Sequence, residues 1–124
     1  MRSKNTKNIP EIKVEKYFVR EVKNLGARTY KFVSPGTNGV PDRIVIWPGG
    51  STTYVELKQT FGRLRPNQIL RINQINSQGS IACVVYGLDG VDSFIKEYKK
   101  MIDENTDLFT KPDIGLSIDN LIYR

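Results

Sequence analysis

Asp42, Glu56 and Lys58 are the residues of this 124-residue chain whose types and spacing could carry a reaction. They fall in or beside two β-rich runs, RIVIW (43–47) and STTYVELK (51–58), which Pro-Gly-Gly separates, so the pair reads as a hairpin. With the turn centred near Gly49 and Gly50, paired residue numbers should sum to about 99, within one or two residues, which sets Asp42 beside Leu57. Glu56 and Lys58 share a face because strand side chains alternate. The three should therefore meet at one end of the hairpin. Two carboxylates there can hold one or two divalent cations, which polarise a phosphoryl oxygen and activate water. A lysine beside them can position or help deprotonate that water, or balance charge in the transition state. By spacing alone an ordinary salt bridge between strands is the stronger reading, because D…E-x-K is a loose pattern.

Glu15 shifts that balance. On a helical wheel it falls among Phe18, Val19 and Val22, at the centre of an apolar stripe that should face the sheet. A buried carboxylate needs a cation, which a bound metal or Lys58 would supply. A salt bridge to a neighbouring lysine at the sheet edge is the competing account. Glu11 is a second candidate on the same face, nearer the frayed helix end. Gln68 falls between Ile72 and Ile75 on another apolar face, where it could reach the site or DNA, or cap a loop carbonyl. Lys31, in the run YKF, is a candidate phosphate contact; a solvated strand lysine is the default alternative. Arg43, Arg63 and Arg65, next in sequence to the constellation, are the remaining candidate nucleic-acid contacts.

The elements that must position these residues can be read along the chain. Residues 1–10 form a basic, flexible arm, 11–100 the folded domain and 101–124 an extension of open role. Pro10 opens a helix over 11–25, with Ile12, Phe18, Val19, Val22 and Leu25 at helical spacing and Gly26 at its end. Residues 27–33 read as a strand and 34–42 as a loop. After the hairpin, Pro66 opens a helix over 66–78 that carries Ile69, Ile72 and Ile75 and closes at Gly79. Residues 80–86 are a buried strand and 89–102 a third helix. The order α-β-β-β-α-β-α, with a strand-helix-strand crossover inside it, predicts an α/β fold: a mixed sheet flanked by helices. No repeat or low-complexity tract interrupts it.

Composition narrows the chemistry. The chain has no histidine, which excludes a Ser-His-Asp triad, a Cys-His zinc site and histidine-metal nuclease chemistry. Carboxylates with a hard cation such as Mg²⁺ are the natural remaining choice. A net charge of +6 favours a polyanionic partner. The single cysteine, Cys83, fits a reducing cytosol and a buried strand position. No apolar run is long enough to span a bilayer, and the polar N-terminus does not read as a secretory signal.

Together these residues carry a resemblance. The stretch EKYFVREVKNLGARTYKFVSPGTNGVPDRIVI…YVELKQTFGRLRPNQ closely resembles the VRR-NUC domain, the virus-type replication-repair nuclease of the PD-(D/E)xK superfamily. It covers roughly residues 11–95 and implies a restriction-endonuclease-like sheet. A helical Glu, a Lys-containing strand, G-V-P-D, E-L-K and a downstream Gln follow in the family's order. By that resemblance Asp42 and Glu56 match the metal-binding carboxylates, Lys58 the catalytic lysine, Glu15 the helical carboxylate and Gln68 the trailing glutamine. Leu57 would lend its main-chain carbonyl to a Mg²⁺ or Mn²⁺ ion; the family often has Val there, a change that leaves the carbonyl in place. The stand-alone form is similar to those of phages and prophages, which implies the cytoplasm of a bacterial or phage-infected cell. Such forms resemble archaeal Holliday-junction resolvases, which implies a homodimer selective for branched DNA. Tyr98, Met101, Leu108, Phe109, Leu116, Ile118, Leu121 and Ile122 exceed what one small sheet should cover, and some are expected at an interface. A catalytically silent DNA-binding module is disfavoured because Asp42, Glu56 and Lys58 are all present. A sequence-reading restriction-type nuclease is disfavoured because no recognition insert is evident.

Overall fold

The computed structural model describes residues 8–104 and 121–124. Its elements run α1 (Glu11–Asn24), β1 (Arg28–Lys31), β2 (Arg43–Ile46), β3 (Thr52–Lys58), α2 (Pro66–Ser77), β4 (Ile81–Tyr86), α3 (Gly87–Asp103) and β5 (Ile122–Tyr123). The expected order is present, with one addition at the C-terminal end. Most of the arm over 1–10 lies outside the described residues, as do Leu108, Phe109, Leu116 and Ile118.

The five strands lie side by side in the order β1-β2-β3-β4-β5. β1, β2 and β3 pair antiparallel, and β4 and β5 continue the sheet in parallel. In the hairpin Arg43 faces Val55 and Ile44 faces Tyr54, one residue from the register that the Pro-Gly-Gly turn suggests. Gly49 and Gly50 both take positive φ, 95° and 101°, backbone that a residue with a side chain rarely adopts. The connection β3-α2-β4 is the crossover that joins parallel neighbours.

Alternation sorts the sheet into two faces. Val45, Trp47, Val55, Leu57, Cys83 and Val85 point to one face, where α1 and α3 cover them with Val14, Phe18, Val22, Val91, Phe94 and Tyr98. Trp47 stacks on Tyr98 with ring centres 4.5 Å apart, and Phe94 on Tyr98 at 4.4 Å. Full burial of such side chains gives roughly 1.5–3 kcal/mol each. The other face carries a smaller cluster of Ile72, Ala82, Val84 and Tyr86 under α2. Tyr30 and Ile46 on that face stay exposed, and no described helix packs over them.

Some expectations need correction. Ile12 is exposed, and Val14 takes its place in the core. Val14 moves the centre of the α1 stripe toward Phe18, so Glu15 lies on its flank and is half-buried. Ile69 is exposed at the margin of the stripe, about 60° from Ile72 and about 120° from Ile75. Tyr98 and Leu121 are core residues, Met101 packs against them, and Ile122 packs on the α2 side. These four therefore do not supply a surplus of apolar surface. Ile122 and Tyr123 form the added edge strand, aligned with Val84 and Val85.

The loop that leads to Asp42 is fixed against α2. Arg71 Nε donates to the Asn38 carbonyl at 2.9 Å. Gly39 has φ +88°, and a Cβ there would stand 2.6 Å from the Asn67 carbonyl oxygen. Gly39→Ala should therefore cost about 1–3 kcal/mol through a strained φ and a backbone clash. Urea unfolding would show a lower midpoint; a wild-type midpoint would contradict the packing described.

Candidate active site

The site forms where β2 and β3 diverge at one end of the sheet. Asp42 stands just before β2, and its Oδ2 accepts the Leu57 N–H at 2.9 Å. The carboxylate so satisfies a backbone donor of β3 where its pairing with β2 ends. Glu56 and Lys58 project from β3 toward the α2 face. Lys58 Nζ lies 3.5 Å from Glu56 Oε2, and Gln68 Nε2 donates to the same oxygen at 3.1 Å. Gln68 Oε1 in turn accepts the Arg65 N–H at 2.9 Å. The amide thus joins the start of α2 to the acid, which explains a polar residue on an otherwise apolar helix face.

Glu56 is almost fully buried, and its Oε1 has no hydrogen-bond donor. A buried polar atom left so costs free energy. Burial first, and the neighbouring Asp42 second, push the Glu56 carboxyl up to about 8. Asp42 is also raised, by burial, against the pull of the Leu57 N–H. Two adjacent acids oppose each other's ionisation, and the larger rise falls on the more buried Glu56. Among the described residues no three acidic or cysteine side chains gather as a ready cage for a metal. The donors that are present, two carboxylates with an uncommitted buried oxygen, fit a hard divalent cation that keeps water or substrate oxygens in its remaining positions.

A cleft of about 280 Å³ opens beside these groups, lined by Glu11, Glu15, Lys31, Phe32, Val33, Asp42 and Leu57. Both helical carboxylates reach it, but they differ. Glu15 Oε2 pairs with Arg43 Nη1 at 3.2 Å, and Arg43 Nε donates to Thr29 Oγ1 at 3.3 Å. Arg43, expected at a DNA surface, is 7% exposed and lies beneath α1. The cation that Glu15 requires is thus this arginine, not Lys58. The signal was available: Arg43, Val45 and Trp47 alternate onto the inward face. Among the described residues Glu11 makes no such ion pair, and its carboxyl is raised, first by burial and then by Asp42. Lys31 lines the cleft with an exposed side chain, and Arg63 and Arg65 are exposed on the loop between β3 and α2.

Residues 6–89, well over half of the chain, match the VRR-NUC domain family. The chain belongs to that family. The match begins and ends a few residues before the limits the sequence suggests. A solved VRR-NUC domain structure superposes with a TM-score of 0.67 at 30% identity, over 71% of this chain and 96% of that one. A second, called a VRR-NUC domain protein, gives 0.60 at 21% identity over 77% and 92%, and speaks to the fold alone. Among curated proteins, "Putative nuclease p44" of Acyrthosiphon pisum secondary endosymbiont phage 1 is 46% identical over 61 residues. That alignment takes in 49% of this chain and 66% of the relative, just under two thirds of its length. The fold of this VRR-NUC chain is accordingly the mixed sheet with flanking helices described above. No helix among its described residues is long and apolar enough to cross a membrane.

Two predictions follow from the acids. Folded Glu56 holds its proton up to about pH 8, whereas the unfolded group releases it near 4.5. The metal-free protein should therefore lose stability as pH rises from about 5 to 8. Glu56→Gln should flatten that slope in thermal melts, and a wild-type profile already flat over this window would refute the assignment. Glu15→Ala leaves buried Arg43 without its anion and should cost about 1–3 kcal/mol, whereas Glu11→Ala should not. Equal midpoints for the two variants in urea would contradict that division of roles.

Proposed function

We propose that this protein is a divalent-cation-dependent DNA endonuclease. The observation that carries the proposal is the buried Glu56 carboxylate: its Oε1 has no donor, while its Oε2 lies 3.5 Å from Lys58 Nζ. Nothing in the core requires an acid there, and an acid pair with a spare oxygen is an arrangement that a cation would stabilise. Family membership and the name of the phage relative support the same reading.

Asp42 and Glu56 would hold Mg²⁺ or Mn²⁺, with the Leu57 carbonyl in the same wall of the cleft. A bound cation supplies Lewis acidity toward the phosphate and the attacking water. Gln68 would keep Glu56 aimed at that position, and Lys58 would place positive charge where negative charge develops on the attacking water and the pentacoordinate phosphoryl group. Glu11 and Glu15 bound the cleft on the helix side. Lys31, Arg63 and Arg65 are the exposed cations able to meet DNA phosphates.

Branched DNA acted on by a pair of chains is the finer reading. Two symmetric cuts need two sites, and a two-fold pair is the commonest way to present them. The sheet face at Tyr30 and Ile46, exposed and apolar, is available to such a pair.

One set of experiments tests this reading. Linear, flap, fork and four-way DNA are offered with and without Mg²⁺ or Mn²⁺, beside light scattering at micromolar protein. Asp42→Ala and Glu56→Ala should each lower cleavage at least a hundredfold while the fold persists. Lys58→Met should bind DNA as wild type yet lose the chemical step. Cleavage by either alanine variant at the wild-type rate would sink the assignment. A monomer that cuts linear and four-way DNA equally would remove the branched-DNA reading.

A further inference from the structure

Phe61 is 62% exposed at the apex of the loop 59–65, three residues beyond Lys58. A lone exposed apolar side chain calls for no explanation on most surfaces. What distinguishes Phe61 is how firmly its backbone is held. Its N–H donates to Asn8 Oδ1 at 3.0 Å, and Asn8 Nδ2 donates to Gln59 Oε1 at 2.7 Å. The Gly62 N–H closes on the Gln59 carbonyl at 3.0 Å, so the ring sits on a tight turn. The Ile9 N–H meets Thr60 Oγ1 at 3.4 Å.

The turn is also packed from beneath. A Cβ on Gly87, at the start of α3, would lie 2.6 Å from Thr60 Oγ1. A Cβ on Gly62 would lie 3.4 Å from the Cβ of Lys58. The turn thus rests on the stem of the lysine in the proposed site. Ordering a loop costs conformational entropy, and here the order places an aromatic ring in solvent instead of burying it. Arg63 and Arg65, both exposed, follow at once. An aromatic ring beside paired cations is the chemistry that takes a nucleobase by its face and its flanking phosphates by charge.

We propose that Phe61 is a specificity-determining residue that stacks on an unpaired or unstacked nucleobase at a DNA branch point. Arg63 and Arg65 grip the adjoining phosphates. The inference rests on the nuclease reading and deepens it. In a continuous duplex both faces of each base are already stacked, and access requires unstacking. At a branch point stacking is interrupted or weakened, so a base face is reached at a lower cost. Because the ring and Lys58 share one packed turn, a base seated on Phe61 fixes the distance from the branch to the cut.

The test compares Phe61→Leu and Phe61→Trp with the full wild-type chain. Cleavage of four-way, fork and linear DNA is measured in Mg²⁺ or Mn²⁺. Binding is followed by 2-aminopurine placed at the branch point. Phe61→Leu keeps an apolar side chain without a π face and, on an exposed position, should melt as wild type. Its branched-to-linear cleavage ratio should fall about tenfold, and the quenching of 2-aminopurine on binding should be lost. Phe61→Trp should retain both. A wild-type ratio in Phe61→Leu overturns the stacking role while cleavage itself upholds the nuclease reading. A wild-type chain that cuts no substrate with either cation overturns the nuclease reading and the inference with it. A Phe61→Leu chain that changes from dimer to monomer in light scattering assigns the ring to an interface between copies and overturns the inference.

Discussion

An acid buried beside another acid is the constraint on which this structure depends. Glu56 stands in β3, between core residues Val55 and Leu57, where an uncompensated carboxylate would be costly. The neighbourhood is organised around that cost. Gln68 is spent on one Glu56 oxygen, Lys58 lies near the same oxygen, and Asp42 is tied to the Leu57 N–H. Each tie recruits a different element: the start of α2, the end of β3 and the loop before β2. The loop reaches its place only because Gly39 passes close to the Asn67 carbonyl. Removing the acid would relieve the burden and leave these attachments without a purpose.

The two faces of the sheet divide the work. The face under α1 and α3 is filled by Phe18, Trp47, Phe94 and Tyr98, and it supplies most of the apolar burial. Among the described residues its inward cation is Arg43, matched to Glu15 at the flank of α1. The pair ties α1 to β2 at the mouth of the cleft, close to where Asp42 begins. A partly exposed pair of this kind contributes little by itself but is costly to break on one side only. Glu11, one turn earlier, is left to face the acids of the site.

Much of this was legible in the sequence, for identifiable reasons. The hairpin could be placed to within one residue because Pro48-Gly49-Gly50 admits few turns and the flanking strands alternate. That register brings Asp42 to within one residue of Leu57, and alternation along β3 sets Glu56 with Lys58 on one face. Gln68 declared itself as a polar residue among Ile72 and Ile75. The failures have equally plain causes. Val14, Phe18 and Val22 recur every four residues and form the buried stripe, whereas Ile12 lies about 120° from Phe18 and falls outside it. Glu15 needs a cation that a metal or a lysine could equally supply on paper, whereas strand alternation turns Arg43 inward to meet it. β5 has two residues and no local pattern; its strand character comes wholly from pairing with β4. Phe61 carried no periodic signal, since its meaning lies in contacts with Asn8, far away in sequence.

The alternation along β3 has one more consequence, for how the chain finds its fold. Val55 and Leu57 enter the aromatic core, and Glu56 and Lys58 leave it. A hairpin that slipped by one residue would invert all four. A carboxylate and an ammonium would then be driven among Phe18, Phe94 and Trp47, and two aliphatic side chains would be wasted on the open face. The charged groups of the candidate site therefore also select strand pairing: a slipped register would bury Glu56 and Lys58 without partners and is disfavoured by that cost. The groups that make up the candidate site and the groups that specify the register are the same few side chains, so replacing them with apolar residues would also weaken the choice of register.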